Sequence, residues 1–172
     1  MKPARHLLLG VCGSSAATAT GLLIEQAAPY AERITIVATP TAHDHFLPTD
    51  LPVPVFTDAD WRSTPTPLHM QLLDDTDLFL IAPATATTLA RVAAGLADNL
   101  LTALVLAHGP GVHFQPSMNL RMWNSPTTRR NVRTLRNDGH HLLPATPTPT
   151  LTSNKPTGIG PIPGTVITSL FH

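Results

Sequence analysis

The string Pro116-Ser117-Met118-Asn119-Leu120-Arg121-Met122-Trp123 places an amide side chain behind a proline and between two methionines and a tryptophan. The combination is an odd one for packing alone and reads as a binding site, in which Asn119 offers both donor and acceptor. A second candidate is Gly10-Val11-Cys12-Gly13-Ser14-Ser15, between a predicted strand and a predicted helix. Free backbone amides, the helix dipole and two hydroxyls make a phosphate seat there, and a tight turn with serine as helix cap accounts for the same residues. A third is Pro83-Ala84-Thr85-Ala86-Thr87-Thr88, which sets small side chains and three hydroxyls at the carboxyl end of a predicted strand. Open sheets bind ligands at that edge, and small side chains let a flat ring approach the backbone. Thr39 and Thr41, after the second predicted strand, join the cofactor-binding candidates.

Together these strings resemble the flavin-containing cysteine decarboxylases (the HFCD family), in particular the lantibiotic-type peptidyl-cysteine decarboxylases. Pro116 to Trp123 matches the family's Pro-x-Met-Asn-x-x-Met-Trp signature. Pro83 to Thr88 resembles its Pro-Ala-Ser-Ala-Asn-Thr motif, with Thr85 for the Ser and Thr87 for the Asn, a hydroxyl with one donor where the amide has two. The run from Ala93 to Thr102 is close to the family's Gly-x-x-Asp-Asn-Leu-Leu-Thr, and its Asp98 suits a turn carboxylate and a flavin contact equally. At motif level the resemblance covers about residues 5–143.

The resemblance implies FMN, or FAD as in some members, bound by Gly10, Gly13, Ser14, Ser15, Thr39, Thr41, Pro83, Ala84, Thr85, Ala86, Thr87 and Asp98. Substrate is then expected against Pro116, Met118, Asn119 and Met122. His69, at the start of the predicted helix Leu68 to Leu73, occupies the place of the family's active-site histidine; on its own a single histidine there reads as structural. As catalytic base it takes the thiol proton. Asn119 holds the substrate carboxylate and the forming enethiolate without a charge that would resist decarboxylation. In such enzymes the flavin oxidises the Cβ–S unit of a cysteine to a thioaldehyde, after which carbon dioxide leaves because the electron pair spreads onto sulfur. Pantothenoyl-cysteine decarboxylases carry a cysteine in the C-terminal loop that returns a proton, and Leu151 to Gly160 has none. The expected product is therefore an unsaturated enethiol at the C-terminus of a ribosomally made precursor peptide, as in lantibiotic aminovinyl-cysteine biosynthesis. Ala145 to Gly164 is expected to clamp that peptide, with Lys155 able to pair with its carboxylate. Alternatives are a phosphopantothenoylcysteine decarboxylase, a flavin prenyltransferase and a non-catalytic flavin-binding regulatory subunit.

The elements that must position these residues follow from apolar runs alternating with helical stretches. Strands are predicted at 6–11, 34–38, 53–56, 78–82, 103–107, 112–114 and 141–143, and helices at 16–28, 41–46, 68–73, 85–96, 125–137 and 165–171. Continuously apolar strands mean that both sheet faces are covered, so the fold class is α/β, a Rossmann-like or flavodoxin-like open parallel sheet with helices on both faces. Residues 1–144 are read as the flavin-binding α/β domain and 145–172 as a Pro/Gly-rich clamp loop and C-terminal helix of the same domain. Eleven of eighteen prolines fall in 48–67 and 144–163, which are predicted loops, the second a mobile lid or disordered.

Eleven Lys and Arg balance eleven Asp and Glu, so no global field recruits nucleic acid or an anionic membrane. The basic face of Arg129, Arg130, Arg133 and Arg136 reads as solvated. Charged residues make up only 13% of the chain, which together with the resemblance implies a homo-oligomer, a trimer or a dodecamer of four trimers, with flavin at the subunit contact. The single cysteine, Cys12, reads as a buried thiol rather than a nucleophile, and the other eight histidines show no paired ligand spacing, so no metal is expected. With no signal peptide and no run of about 20 apolar residues, the expected setting is cytoplasmic, with no membrane partner.

Overall fold

In the computed structural model, residues 4–150, 153–161 and 165–171 are described. Its centre is β1 (Ala4–Val11), paired in parallel with β2 (Ala31–Ala38) on one side and β4 (Leu78–Ala84) on the other. β3 (Val55–Phe56), β5 (His113–Pro116) and β7 (His141–Leu142) extend it to six parallel strands in the order β3-β2-β1-β4-β5-β7. The order reverses at β1, and the crevice beyond the carboxyl ends of β1 and β4 is the place where such sheets bind ligands.

Strand alternation divides the core. Leu7, Leu9, Val11, Ile34, Ile36 and Ala38 face a layer built from α1 (Thr20–Ala27), α2 (Pro40–His45) and the segment leading to α9 (Thr168–Phe171). Leu8, Val37, Phe79, Ile81 and Phe114 face α4 (Leu68–Leu73), α5 (Ala86–Ala93), α6 (Leu100–His108) and α8 (Pro126–Asn137). No helix among the described residues is long and apolar enough to cross a membrane.

Three expectations are corrected. Residues 103–107, predicted as a strand, lie inside α6. The Asn99 side chain accepts from Thr102 N at 2.9 Å, Thr102 Oγ1 accepts from Asn99 N, and Gly109 ends the helix at φ 76°. Five consecutive apolar residues, of which Leu106 and Ala107 turn out exposed, carry no polar period that separates helix from strand in the sequence, and the caps decide. The window 48–67 contains β3 and α3 (Asp58–Ser63), the latter nucleated by a capping box in which Thr57 N donates to Asp60 Oδ2 at 2.7 Å. The window 144–163, predicted as a loop, forms strands where described. β8 (Ala145–Thr150) and β9 (Ser153–Pro161) form an antiparallel hairpin, and β9 also pairs with β6 (Met118–Asn119), just before α7 (Leu120–Trp123). Pro147 and Pro149 lie on β8, an edge strand of that sheet, where a missing ladder donor is tolerated. Residues 151, 152, 162 and 163 of that window lie outside the described residues, as do Gly164 and His172. The predicted helix 16–28 begins as a 3-10 turn, Ser15–Ala19, before α1.

Candidate functional site

Strand ends bring the candidate residues together. Gly13 and Ser14 leave β1, Thr39 and Thr41 leave β2, Thr85 to Thr88 leave β4, and Ser117 and Met118 leave β5; all line one cavity of about 560 Å³. Gly13 is required by packing, since a Cβ there would stand 2.5 Å from Thr41 Cγ2. Ser14 caps the 3-10 turn, its Oγ accepting from Ala16 N, and lies 3.0 Å from Ser117 Oγ. Thr85 caps α5 and donates to Thr88 Oγ1. Among the described residues the hydroxyls of Thr39, Thr41 and Thr87 have no protein partner, so they are free for a ligand.

The carboxylates at this cavity are already engaged. Asp98 pairs with Arg91 at 3.2 Å, and Asp58, only 9% exposed, accepts from Leu100 N at 2.9 Å. Asp98 is thus offset by a cation, and Asp58 is held in place by a backbone amide. Asp58, Arg91 and Asn99 were not among the sequence candidates. Asp58 lies in the proline-rich window read as loop, and Asn99 was visible only as a neighbour of Asp98.

A second cavity of about 550 Å³ lies on the other side of Ser14, Ser117 and Met118, walled by Ser15, Asn119 and the β8–β9 hairpin residues Thr148, Gly158 and Gly160. Asn119 Oδ1 accepts from Arg121 N at 2.8 Å and caps α7, while its amide N–H groups have no partner among the described residues. The exposed end of this side chain is a neutral donor suited to a carboxylate.

Other sequence candidates lie apart. Gly10 is inside β1, where a Cβ would stand 2.6 Å from Leu101 Cδ1, so its smallness serves packing. Pro83 and Ala84 contribute carbonyls, accepting from Cys12 N at 3.1 Å and Ser117 N at 2.9 Å. Pro116 is buried in β5, Ala86 and Met122 line the first cavity, and Lys155 is exposed on β9. Cys12 is 1% exposed beside Thr88 Oγ1, and burial pushes its thiol pKa up. His69 lines neither cavity. It stands on α4 with its ring edge-on to Trp61, centroids 6.0 Å apart, and its Nδ1 is buried without a partner.

Residues 1–165 match the family described as Flavoprotein. The phosphopantothenoylcysteine decarboxylase of Mus musculus is 38% identical over 148 residues, covering 81% of this chain and 72% of that protein. A mersacidin decarboxylase from a Bacillus species is 34% identical over 143 residues, covering 81% and 73%. The bifunctional coenzyme A biosynthesis protein of Mycobacterium tuberculosis is 37% identical, but this chain spans only 35% of it. Among solved structures, the FMN binding protein AtHal3 superposes with a TM-score of 0.84 at 32% identity, covering 98% of this chain and 95% of that one.

Proposed function

The chain belongs to the flavoprotein family, and from that premise we propose that it binds FMN in the first cavity and oxidatively decarboxylates the C-terminal cysteine of a ribosomally made precursor peptide. The residues present suit the cofactor. A cavity of about 560 Å³ is of cofactor size, the Thr39, Thr41 and Thr87 hydroxyls await a partner, and both nearby carboxylates are engaged. Bound flavin supplies two-electron oxidation at the Cβ–S unit of the cysteine.

The protein's own contribution is orientation, water exclusion and one proton transfer. The amide donors of Asn119 hold the substrate carboxylate in the second cavity, while Met118, which lines both cavities, keeps the partition apolar. His69 takes the thiol proton. Because it lines neither cavity of its own chain, it reaches the substrate from a neighbouring copy in a homo-oligomer. The peptide runs along the β8–β9 hairpin, on which Lys155 is exposed.

The observation that carries the peptide reading is the cysteine count. The chain's single cysteine, Cys12, is buried beneath Thr88, so the hairpin offers no thiol to return a proton and the product stays an enethiol. A second reading, decarboxylation of phosphopantothenoylcysteine, is favoured by the 38% identity to the mouse enzyme. Mass spectrometry after incubation with synthetic peptides ending in Cys, and separately with phosphopantothenoylcysteine, decides between them. The peptide reading expects loss of the mass of formic acid from the peptides; turnover confined to the small molecule overturns it.

A further inference from the structure

Residues 99–137 hold five arginines and no aspartate or glutamate, in a chain whose charges balance overall. Four of the five, Arg129, Arg130, Arg133 and Arg136, stand exposed on α8, whose opposite face buries Thr128, Val132 and Leu135. Among the described residues the basic partners in ion pairs are Arg5, His43 and Arg91, so none of these four guanidinium groups is neutralised there. Arg129 has one hydrogen bond, to Asn124 Oδ1 at 3.1 Å.

Three of them are organised. Arg129, Arg133 and Arg136 line a surface cleft of about 270 Å³ with half-buried Trp123. Spaced four and three residues apart, they form a row of about 10 Å along one side of the helix. Trp123 comes four residues after Asn119, which lines the second cavity, and α7 between them packs on both β9 and α8. The cationic row therefore continues outward from the place proposed for the substrate carboxylate.

We propose that this cleft docks an acidic segment of the peptide substrate, upstream of the cysteine held at Asn119; the inference rests on the peptide reading of the function. Guanidinium groups take carboxylates with two parallel hydrogen bonds, and an indole beside them supplies the apolar anchor that recognition sites concentrate in Trp and Arg. A nucleic acid fits less well. Three arginines on a chain of zero net charge offer it few phosphate contacts and no wider attracting field.

The test uses the whole flavin-loaded protein and a fluorescent peptide rich in Asp and Glu that ends in Cys, with its Asn/Gln counterpart as reference. Anisotropy at low salt should show the acidic peptide binding about tenfold more tightly, with the advantage fading as salt rises. The triple variant Arg129→Gln/Arg133→Gln/Arg136→Gln should lose that advantage, while Arg130→Gln, outside the cleft, keeps it. Should the triple variant unfold, Arg133→Glu compared with Arg130→Glu decides the matter. Equal binding of the two peptides by the native protein, an unchanged preference in the triple variant, or tighter binding of an oligonucleotide of equal charge overturns the proposal. Turnover of a short uncharged peptide ending in Cys reads the reaction independently. Its absence overturns the function itself, whereas its presence without any charge preference overturns only the docking site.

Discussion

The hydroxyls of Ser14 and Ser117, 103 residues apart in sequence, lie 3.0 Å from each other and form the partition between the two cavities. One arrives from the end of β1 and the other from the end of β5, so the contact ties together two strand ends that flank β4. Removing it with Ser117→Ala should cost about 1 kcal/mol and weaken FMN binding about fivefold. Titration of the apoprotein by flavin fluorescence reads the loss. Unchanged affinity with a lowered melting temperature would make the pair a scaffold rather than a cofactor contact.

Gly13, at the first cavity, has no room for a side chain. Gly13→Ala places a methyl 2.5 Å from Thr41 Cγ2 and 2.6 Å from Thr41 Cβ, so the β1 and β2 loops must separate. The expected cost is about 1–3 kcal/mol in urea unfolding. Thr41→Ser removes the nearer contact and leaves the other, so the double variant should recover only part of the stability. Full stability in Gly13→Ala alone would show that the loops yield freely.

How far the sequence foretold this arrangement depends on how local each determinant is. β1, β2 and β4 are apolar on both faces and bounded by Gly, Thr and Pro, so their positions were legible, and with them the residues at their carboxyl ends. α6 was not, because its buried run has no helical period and the deciding capping exchange between Asn99 and Thr102 looks like ordinary polar punctuation. The β8–β9 hairpin was hidden by its prolines, which are admissible only because β8 is an edge. Asp58 gave no signal at all. Its value comes from Leu100 N, 42 residues away, and only folding brings the two together.

A buried histidine makes the fold acid-sensitive. His6 is 2% exposed between Thr35 Oγ1 at 2.9 Å and Thr76 Oγ1 at 3.0 Å. The Thr76 hydroxyl donates to Leu72 O, so it accepts from His6 Nδ1–H, and His6 Nε2 accepts from Thr35. This arrangement holds the ring neutral, and burial, with Arg33 adding to it, lowers its pKa from 6.5 to about 4. Between those values the unfolded chain binds more protons than the folded one. The contribution of about 3 kcal/mol is thus complete above pH 6.5, declines as pH falls through the window, and is gone below about 4. Burial pushes His113 and His140 the same way. Denaturation of the native protein and His6→Gln across pH 4–7 should show a shallower decline in the variant; parallel curves would remove His6 from the account.

The donor end of Asn119 is predicted to matter more than its cap. Asn119→Asp keeps an oxygen for Arg121 N, so α7 and the melting temperature should hold, aspartate being as good a cap as asparagine. The same change replaces the amide donors with a charge facing the substrate carboxylate. Turnover should fall by roughly 100-fold or more with flavin still bound. A yellow, stable variant that retains most of its activity would take Asn119 out of the reaction.

Mixing two inactive proteins tests where His69 acts. His69 lines neither cavity of its own chain, and its Nδ1 is buried without a partner near Trp61, whereas Asn119 lines the second cavity. If a neighbouring copy brings His69 to that cavity, each working site draws one residue from each of two chains. Co-refolded in equal amounts, His69→Asn and Asn119→Asp chains should then regain about a quarter of native turnover, the chance that an intact His69 meets an intact Asn119 across a contact. Sites built within one chain would regain nothing, because every chain in the mixture carries one defect. Flavin absorbance should be equal in all three preparations, so that any regained activity reports assembly of the site and not rescue of cofactor binding.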